Sequence, residues 1–289
     1  MTALAYESAG GTDPFVKMEA SAIAELFIAA SYVLDHAMDD EVPPSSSLPS
    51  EITIGTTLLL VASAALDNAA SHVLPSPERT ALASNAYRHV LSSCAGQFHE
   101  ILLMQKGSAA GFTTDDALNL TQLKAGSLGR LGGNIGSALA SADEDARNQI
   151  EDCCAHYTTY LQLLDDLNDA PDTPDSDRKS DASTNKPSLP LVYLHNSFID
   201  LHPNNKAVPE SGNIIKVPGD RRHVTIEDLQ RTGAELFTKM AAEVVRNRAI
   251  SLAEGLEKRA GKPLGLASFV KASSLEHGSD ITRKTWNPG

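Results

Sequence analysis

Apolar residues recur at three- and four-residue spacing along most of the chain, and runs of β-branched residues in strict alternation are nearly absent. A 3.6-residue period gathers apolar side chains into one stripe of a helix, so the pattern predicts an all-α protein. From Pro14 to Asp40 the stripe is carried by Ile23, Leu26, Phe27, Ala30 and Leu34. It stops in the segment 41–51, where three prolines and four serines cannot continue a helix. Further helices are expected over about 52–73, 77–106, 114–141, 144–169, 187–200, 225–259 and 264–275. Thr225-Ile-Glu-Asp228 is a capping-box pattern ahead of the last long run. Residues 170–186, rich in Asp, and 201–224, with three prolines, read as loops. With no internal repeat, the expectation is a single helical domain over residues 1–289.

The chain carries 24 Lys+Arg against 37 Asp+Glu, a net charge of −13, with 42% hydrophobic and 21% charged positions. That balance suits a folded globular chain. It lacks the basic footprint through which proteins grip phosphate backbones, so no nucleic-acid partner is expected. Cys94, Cys153 and Cys154 show no CxxC or Cys/His spacing, which speaks against a disulfide framework and a structural zinc. The N-terminus has acids early and no basic region ahead of an apolar core, unlike a secretory signal. The greasiest stretch, Ile52 to Leu66, is interrupted by Gly, Thr and Ser and falls short of the roughly 20 residues a bilayer span needs. The expectation is a cytoplasmic protein without a transmembrane segment.

Two acidic clusters close apolar helices: Asp35-His-Ala-Met-Asp39-Asp40 the first, and Asp165-Asp166-Leu-Asn-Asp169 the one beginning near Glu144. Asp35/Asp39 and Asp165/Asp169 are four positions apart, so each pair shares a helix face and aims at one volume. Like charges at that spacing cost about 0.2–0.5 kcal/mol, and acids at a helix C-terminus oppose the macrodipole. Such pairs call for a cation, and Mg2+ is the natural one, since it takes one or two carboxylates and completes its shell with water and phosphate oxygens. A single pair alone reads as a solvated helix end. Lys124, in Gln122-Leu-Lys-Ala-Gly-Ser-Leu128, and Lys186, in Asn185-Lys-Pro-Ser-Leu-Pro190, are point charges suited to phosphate or ordinary surface lysines.

In combination these residues resemble a known family. Ile23-Ala-Glu-Leu-Phe27, Asp35-x-x-x-Asp39, Gly96-Gln97, Lys124-x-Gly-Ser-Leu, Gln162-Leu-Leu-Asp165-Asp166-Leu-Asn-Asp169, Ser180-Asp181 and Lys186-Pro-Ser-Leu-Pro run in the order of the trans-isoprenyl diphosphate synthases, or polyprenyl synthetases. The resemblance is most specific over residues 157–193. It implies an isoprenoid-synthase helical bundle around a central apolar cavity, and about three Mg2+ ions holding an allylic prenyl diphosphate of geranyl to geranylgeranyl length. Carried over by position, Asp35, Asp39, Asp165 and Asp169 become metal ligands, and Asp166 completes the catalytic acids. Lys124 and Lys186 become diphosphate binders, with Gln162 and Gln97 as polar neighbours. Ala30 and Tyr32, on the helix leading into the first motif, would line the cavity and limit tail length, or serve as ordinary core. A homodimer is implied as well.

Three departures shape the functional expectation. His36 stands where the family usually has Asp, which removes one carboxylate but keeps the i,i+4 pair. The family's glycine-lysine-arginine motif for isopentenyl diphosphate belongs on helices that would precede residue 1. The arginine pair expected after the first motif is replaced by Glu41-Val-Pro-Pro-Ser-Ser-Ser47, which has no base. A second diphosphate would thus meet acid without a clamp. The resemblance then implies a class I terpene-synthase-like enzyme that ionises one allylic diphosphate without elongating it. Its alternatives are prenyl transfer to an acceptor lacking diphosphate, ordinary chain elongation, and a non-catalytic subunit of a synthase.

Overall fold

The computed structural model describes residues 1–39, 42–43, 45–106, 112–172, 180–201 and 224–273. Every regular element among them is helical: α1 (Thr2–Ser8), α2 (Pro14–Met38), α3 (Leu48–Val73), α4 (Ser76–Lys106), α5 (Thr114–Thr121), a π turn (Gln122–Gly126), α6 (Ser127–Leu139), α7 (Glu144–Asp169), α8 (Asp181–Thr184), α9 (Leu189–Leu201), α10 (Ile226–Thr232), α11 (Ala234–Ala260) and α12 (Leu266–Ala272). The chain divides into two compact units. The first comprises Met1–Ser93, Gly126–Tyr157 and Arg248–Ala272, the second Cys94–Ala125, Thr158–Asn247 and Ser273–Gly289.

In the first unit, Asp13 caps α2 by accepting from the Phe15 and Val16 amides, and Pro14 sits in the first turn, where no donor is missed. The expected stripe faces inward: Ile23, Phe27 and Ala30 are buried, and Phe27 joins Leu66, Leu82, Leu131, Ile135 and Leu139 in the core. Helix α3 begins four residues earlier than its pattern suggests, because Ser47 caps it and Pro49 lies in a first turn that tolerates proline. Its buried face carries Gly55, Ala62 and Ala69 at seven-residue spacing. A Cβ added at Gly55 would overlap the Leu34 side chain at 2.6 Å and reach the Ala30 carbonyl oxygen at 3.4 Å. The absence of a side chain at Gly55 therefore permits a close α2–α3 approach.

Two expectations need correction here. No helix is foreseen at the N-terminus, yet α1 forms and seats on small residues of α6: a Cβ at Gly136 would lie 2.6 Å from the Thr2 carbonyl oxygen. Seven residues, about two turns, offer too few positions to show a period, which is why the pattern misses it. The apolar stretch read as too short for a membrane span is also part of a longer whole. Helix α3 is 26 residues long and, by length and composition alone, sufficient to cross a membrane. Leu48, Ile52, Ile54, Leu60 and Val61 on it are exposed.

The core of this unit holds a polar knot. His89 Nε2 lies 3.2 Å from Glu151 Oε2, and the Asn134 amide donates to Glu151 Oε1 at 2.7 Å. All three residues are buried. Beside them Cys153 donates to the Ala249 carbonyl oxygen at 3.3 Å, and burial pushes its thiol up to about 12. Burial raises Cys154 as well, while Cys94 on α4 is exposed.

In the second unit, α9 and α10 pack through Leu191, Leu194 and Leu229, with Ala170 and Val224 beside them. Asp172 clasps the chain: its N–H donates to the Val224 carbonyl oxygen at 2.8 Å, and its carboxylate accepts from the Val224 amide at 3.0 Å and from the Ser180 hydroxyl. The helix expected over 225–259 is two helices. Thr225 and Asp228 form the foreseen capping box, but Gly233 adopts φ +81° and ends α10 in a left-handed cap before α11 starts.

Candidate functional site

The second unit builds a polar pocket from the end of α7, the turn after α8, the middle of α4 and the π turn. Glu100, Lys124, Gln162, Asp166, Lys186 and Ser188 line this small pocket, with Leu120 and Pro187 as apolar floor, and it is partly open to solvent.

Each wall has a local cause. Helix α7 places Asp165, Asp166 and Asp169 on its last turns; Asp166 is 6% exposed and accepts from Gln162 Nε2 at 2.8 Å, one turn back on the same face. Asp165 and Asp169 are half-buried. Ser180 caps the short α8, and Asn185 ends it at φ +59°, a left-handed position that asparagine tolerates. This turns the chain back, so that Lys186 N–H donates to the Asp181 carbonyl oxygen at 3.0 Å and Lys186 Nζ stands 3.8 Å from Asp181 Oδ1.

Lys124 owes its aim to a backbone irregularity. The run expected as one α-helix over 114–141 widens into the π turn Gln122–Gly126, with Lys124 at its centre. The extra residue breaks the i→i−4 ladder, and such turns concentrate at functional positions. The Thr158 hydroxyl donates to the Ala125 carbonyl oxygen at 3.0 Å, satisfying an acceptor within that turn. Gly96 of α4 packs directly on the same turn: a Cβ there would meet Lys124 Cγ at 2.7 Å and the Lys124 amide nitrogen at 3.1 Å. Lys124 Nζ reaches Glu100 Oε1 at 2.5 Å, with side-chain exposures of 18% and 6%.

The pocket is rich in acid. Burial first, and then the Asp181 charge, hold the Asp166 carboxyl well above the usual carboxylate range, against the pull of Lys186. Burial likewise raises Asp181; Lys186 opposes this, and Asp169 and Glu100 add to it. Asp181 Oδ2 is buried without a hydrogen-bond partner among the described residues. Among the described residues no group of three acidic, imidazole or thiol side chains is placed to hold a metal ion. Mg2+ needs none, since it keeps several waters and binds through one or two carboxylates and substrate phosphates. The carboxylates it would draw on are Asp165, Asp166 and Asp169 on the last turns of α7 and Asp181 at the start of α8.

The other acidic pair lies in the first unit. Asp35 is in the last turn of α2, and Asp39 is its C-cap, with its N–H donating to the Asp35 carbonyl oxygen at 2.9 Å. Both are half-buried. Tyr32 is 42% exposed and stands with its ring 4.0 Å from that of His36. Ala30 is fully buried, and Gln97, in the second unit, is buried beside Gly96. Asp40, Glu41 and the charged stretch 173–179 lie outside the described residues. Glu100 was not foreseen: a lone Glu in Gly96-Gln-Phe-His-Glu100 carries no signal beyond its four-residue spacing from the glycine.

No curated protein matches the chain. Solved structures do. A polyprenyl synthetase from Streptomyces coelicolor superposes with a TM-score of 0.70 at 20% identity, over 93% of this chain and 82% of its own. A geranylgeranyl pyrophosphate synthetase from the archaeon Geoglobus acetivorans gives 0.70 at 20%, over 94% and 82%. A geranylgeranyl pyrophosphate synthase from Corynebacterium glutamicum, complexed with isoprenyl diphosphate and magnesium, gives 0.71 at 15%, over 96% and 84%. At such identities the likeness establishes the all-α isoprenoid-synthase fold. The polyprenyl synthetase family model matches residues 1–207, most of the 289, and the chain belongs to that family of the trans-isoprenyl diphosphate synthase superfamily.

Proposed function

We propose that this enzyme ionises an allylic prenyl diphosphate in the presence of Mg2+, releasing diphosphate without chain elongation. The observation that carries the reading is the pocket in which Lys124 and Lys186 share a small polar space with the end of α7. Lysine ammonium groups meet phosphate oxygens as point charges, and in a partly desolvated pocket they stabilise the negative charge that grows on a departing diphosphate. Gln162 fixes Asp166. Mg2+ held by the α7 carboxylates would supply Lewis-acid stabilisation of the same leaving group. Asp35 and Asp39 are proposed as further magnesium ligands. The allylic cation then closes on itself or loses a proton; capture by an acceptor without diphosphate is the alternative.

Non-elongation rests on the segment 41–47, which offers no base to a second diphosphate. The family's synthases favour the rival reading, elongation with isopentenyl diphosphate. Incubation of the purified chain with Mg2+ and geranyl, farnesyl or geranylgeranyl diphosphate, with and without isopentenyl diphosphate, separates them. A hydrocarbon or alcohol with released diphosphate is expected; a longer diphosphate establishes elongation instead, and no turnover without an added partner establishes a subunit. Asp165→Ala and Asp169→Ala are expected to lower turnover at least about 100-fold with circular dichroism unchanged. Full activity in either removes that residue from the site. We also place the protein in the cytoplasm, and as a homodimer, the dimer being supported by the exposed apolar side chains of α3.

A further inference from the structure

Lys124 is held along its whole length by one turn of α4. Gly96 and Glu100 are four apart and share a helix face, separated by about 6 Å along the axis. Gly96 meets the stem and backbone of Lys124, and Glu100 meets its ammonium at 2.5 Å. A lysine stem has four rotatable bonds, and fixing it costs entropy that a ligand would otherwise have to supply on binding. Glu100 is 5% exposed and lines the pocket itself, so its charge also faces whatever occupies the space. A buried carboxylate beside an anion seat weakens ground-state binding of that anion; its retention needs a compensating role.

We propose that Glu100 is a positioning residue, which acts through Lys124 by presenting the ammonium already oriented toward the leaving diphosphate. This rests on the reading of the pocket as a diphosphate seat. Glu100 forms no bond to substrate. Its effect falls on the transition state, where charge accumulates on the diphosphate and the placement of Lys124 matters most.

The test pairs turnover with calorimetric binding of inorganic pyrophosphate plus Mg2+, in wild type, Glu100→Gln, Glu100→Asp, Lys124→Ala and the Glu100→Gln/Lys124→Ala double variant. Glu100→Gln should lower kcat about tenfold or more while pyrophosphate binds as tightly as in wild type or tighter. Glu100→Asp, which keeps the charge with a shorter reach, should fall between, and serves alone if the glutamine variant does not fold. In the Lys124→Ala background the Glu100→Gln loss should vanish, because the residue through which it acts is gone. Equal losses of affinity and kcat, or effects that add to those of Lys124→Ala, overturn the proposal. A wild type that binds pyrophosphate but turns over no prenyl diphosphate sinks the proposed function instead, and one that fails to bind it sinks both.

Discussion

At Gly96 two opposed residue-level effects can be weighed. Alanine favours a helix over glycine by about 1 kcal/mol. Against that, its Cβ would press on the Lys124 amide nitrogen at 3.1 Å, which is backbone and cannot rotate away. Overpacking costs about 1–3 kcal/mol, so the clash wins. Gly96→Ala is expected to lower the melting temperature by a few degrees and to depress turnover with it; a stabilised, fully active variant would contradict the close approach. A second residue-scale prediction concerns pH. Burial raises Asp166 and Asp181, so folding favours their neutral forms. Their contribution is complete below the ordinary carboxylate value and is lost as pH rises through the raised ones. Metal-free stability should therefore decline from the carboxylate range into neutral pH. His156 and His195, lowered by burial, act in the opposite sense. The difference in melting between wild type and Asp166→Asn in EDTA cancels them, and it should grow from about pH 5 to about pH 8. Added Mg2+ should close it for wild type. Of the pocket-lining residues, Asp166 and Lys186 stand out in the sequence because an acidic helix end and a Lys-Pro turn are local patterns. Glu100 does not, because its partner is 24 positions away and nothing local distinguishes it from a solvated charge.

For whole elements, local chemistry explains both what the chain announces and what it conceals. Helix α7 spans Glu144–Asp169, as its period indicates. The π turn shifts the register by a single residue, too little to disturb an apolar count. Pro49 reads as a breaker by composition and is harmless by position. Gly233 is the instructive miss, since a glycine inside a helical period is often tolerated and only its φ of +81° makes it an end. Gly233→Ala is expected to destabilise the protein by about 1 kcal/mol through the left-handed penalty, read from the urea midpoint. The His89–Asn134–Glu151 knot joins α4, α6 and α7 in the core of the first unit. Glu151→Ala should cost about 3 kcal/mol or more, because it strands the buried Asn134 amide and removes the carboxylate beside His89. An unchanged chemical denaturation curve would show the knot to be dispensable.

For the molecule as a whole, the net charge of −13 is distributed so that α3 has none from Ile52 to Leu66. An exposed uncharged face of that length favours burial against a second copy. Leu60→Glu should therefore convert a dimer to a monomer in sedimentation, and a wild type that sediments at monomer mass removes the argument. The thiols have a practical corollary. Two of the three are interior and held in their unreactive protonated form, and the third stands on the solvent side of α4, two positions before Gly96. A maleimide fluorophore should thus attach at one place only, giving a spectroscopic reporter beside the lysine seat without any engineered cysteine.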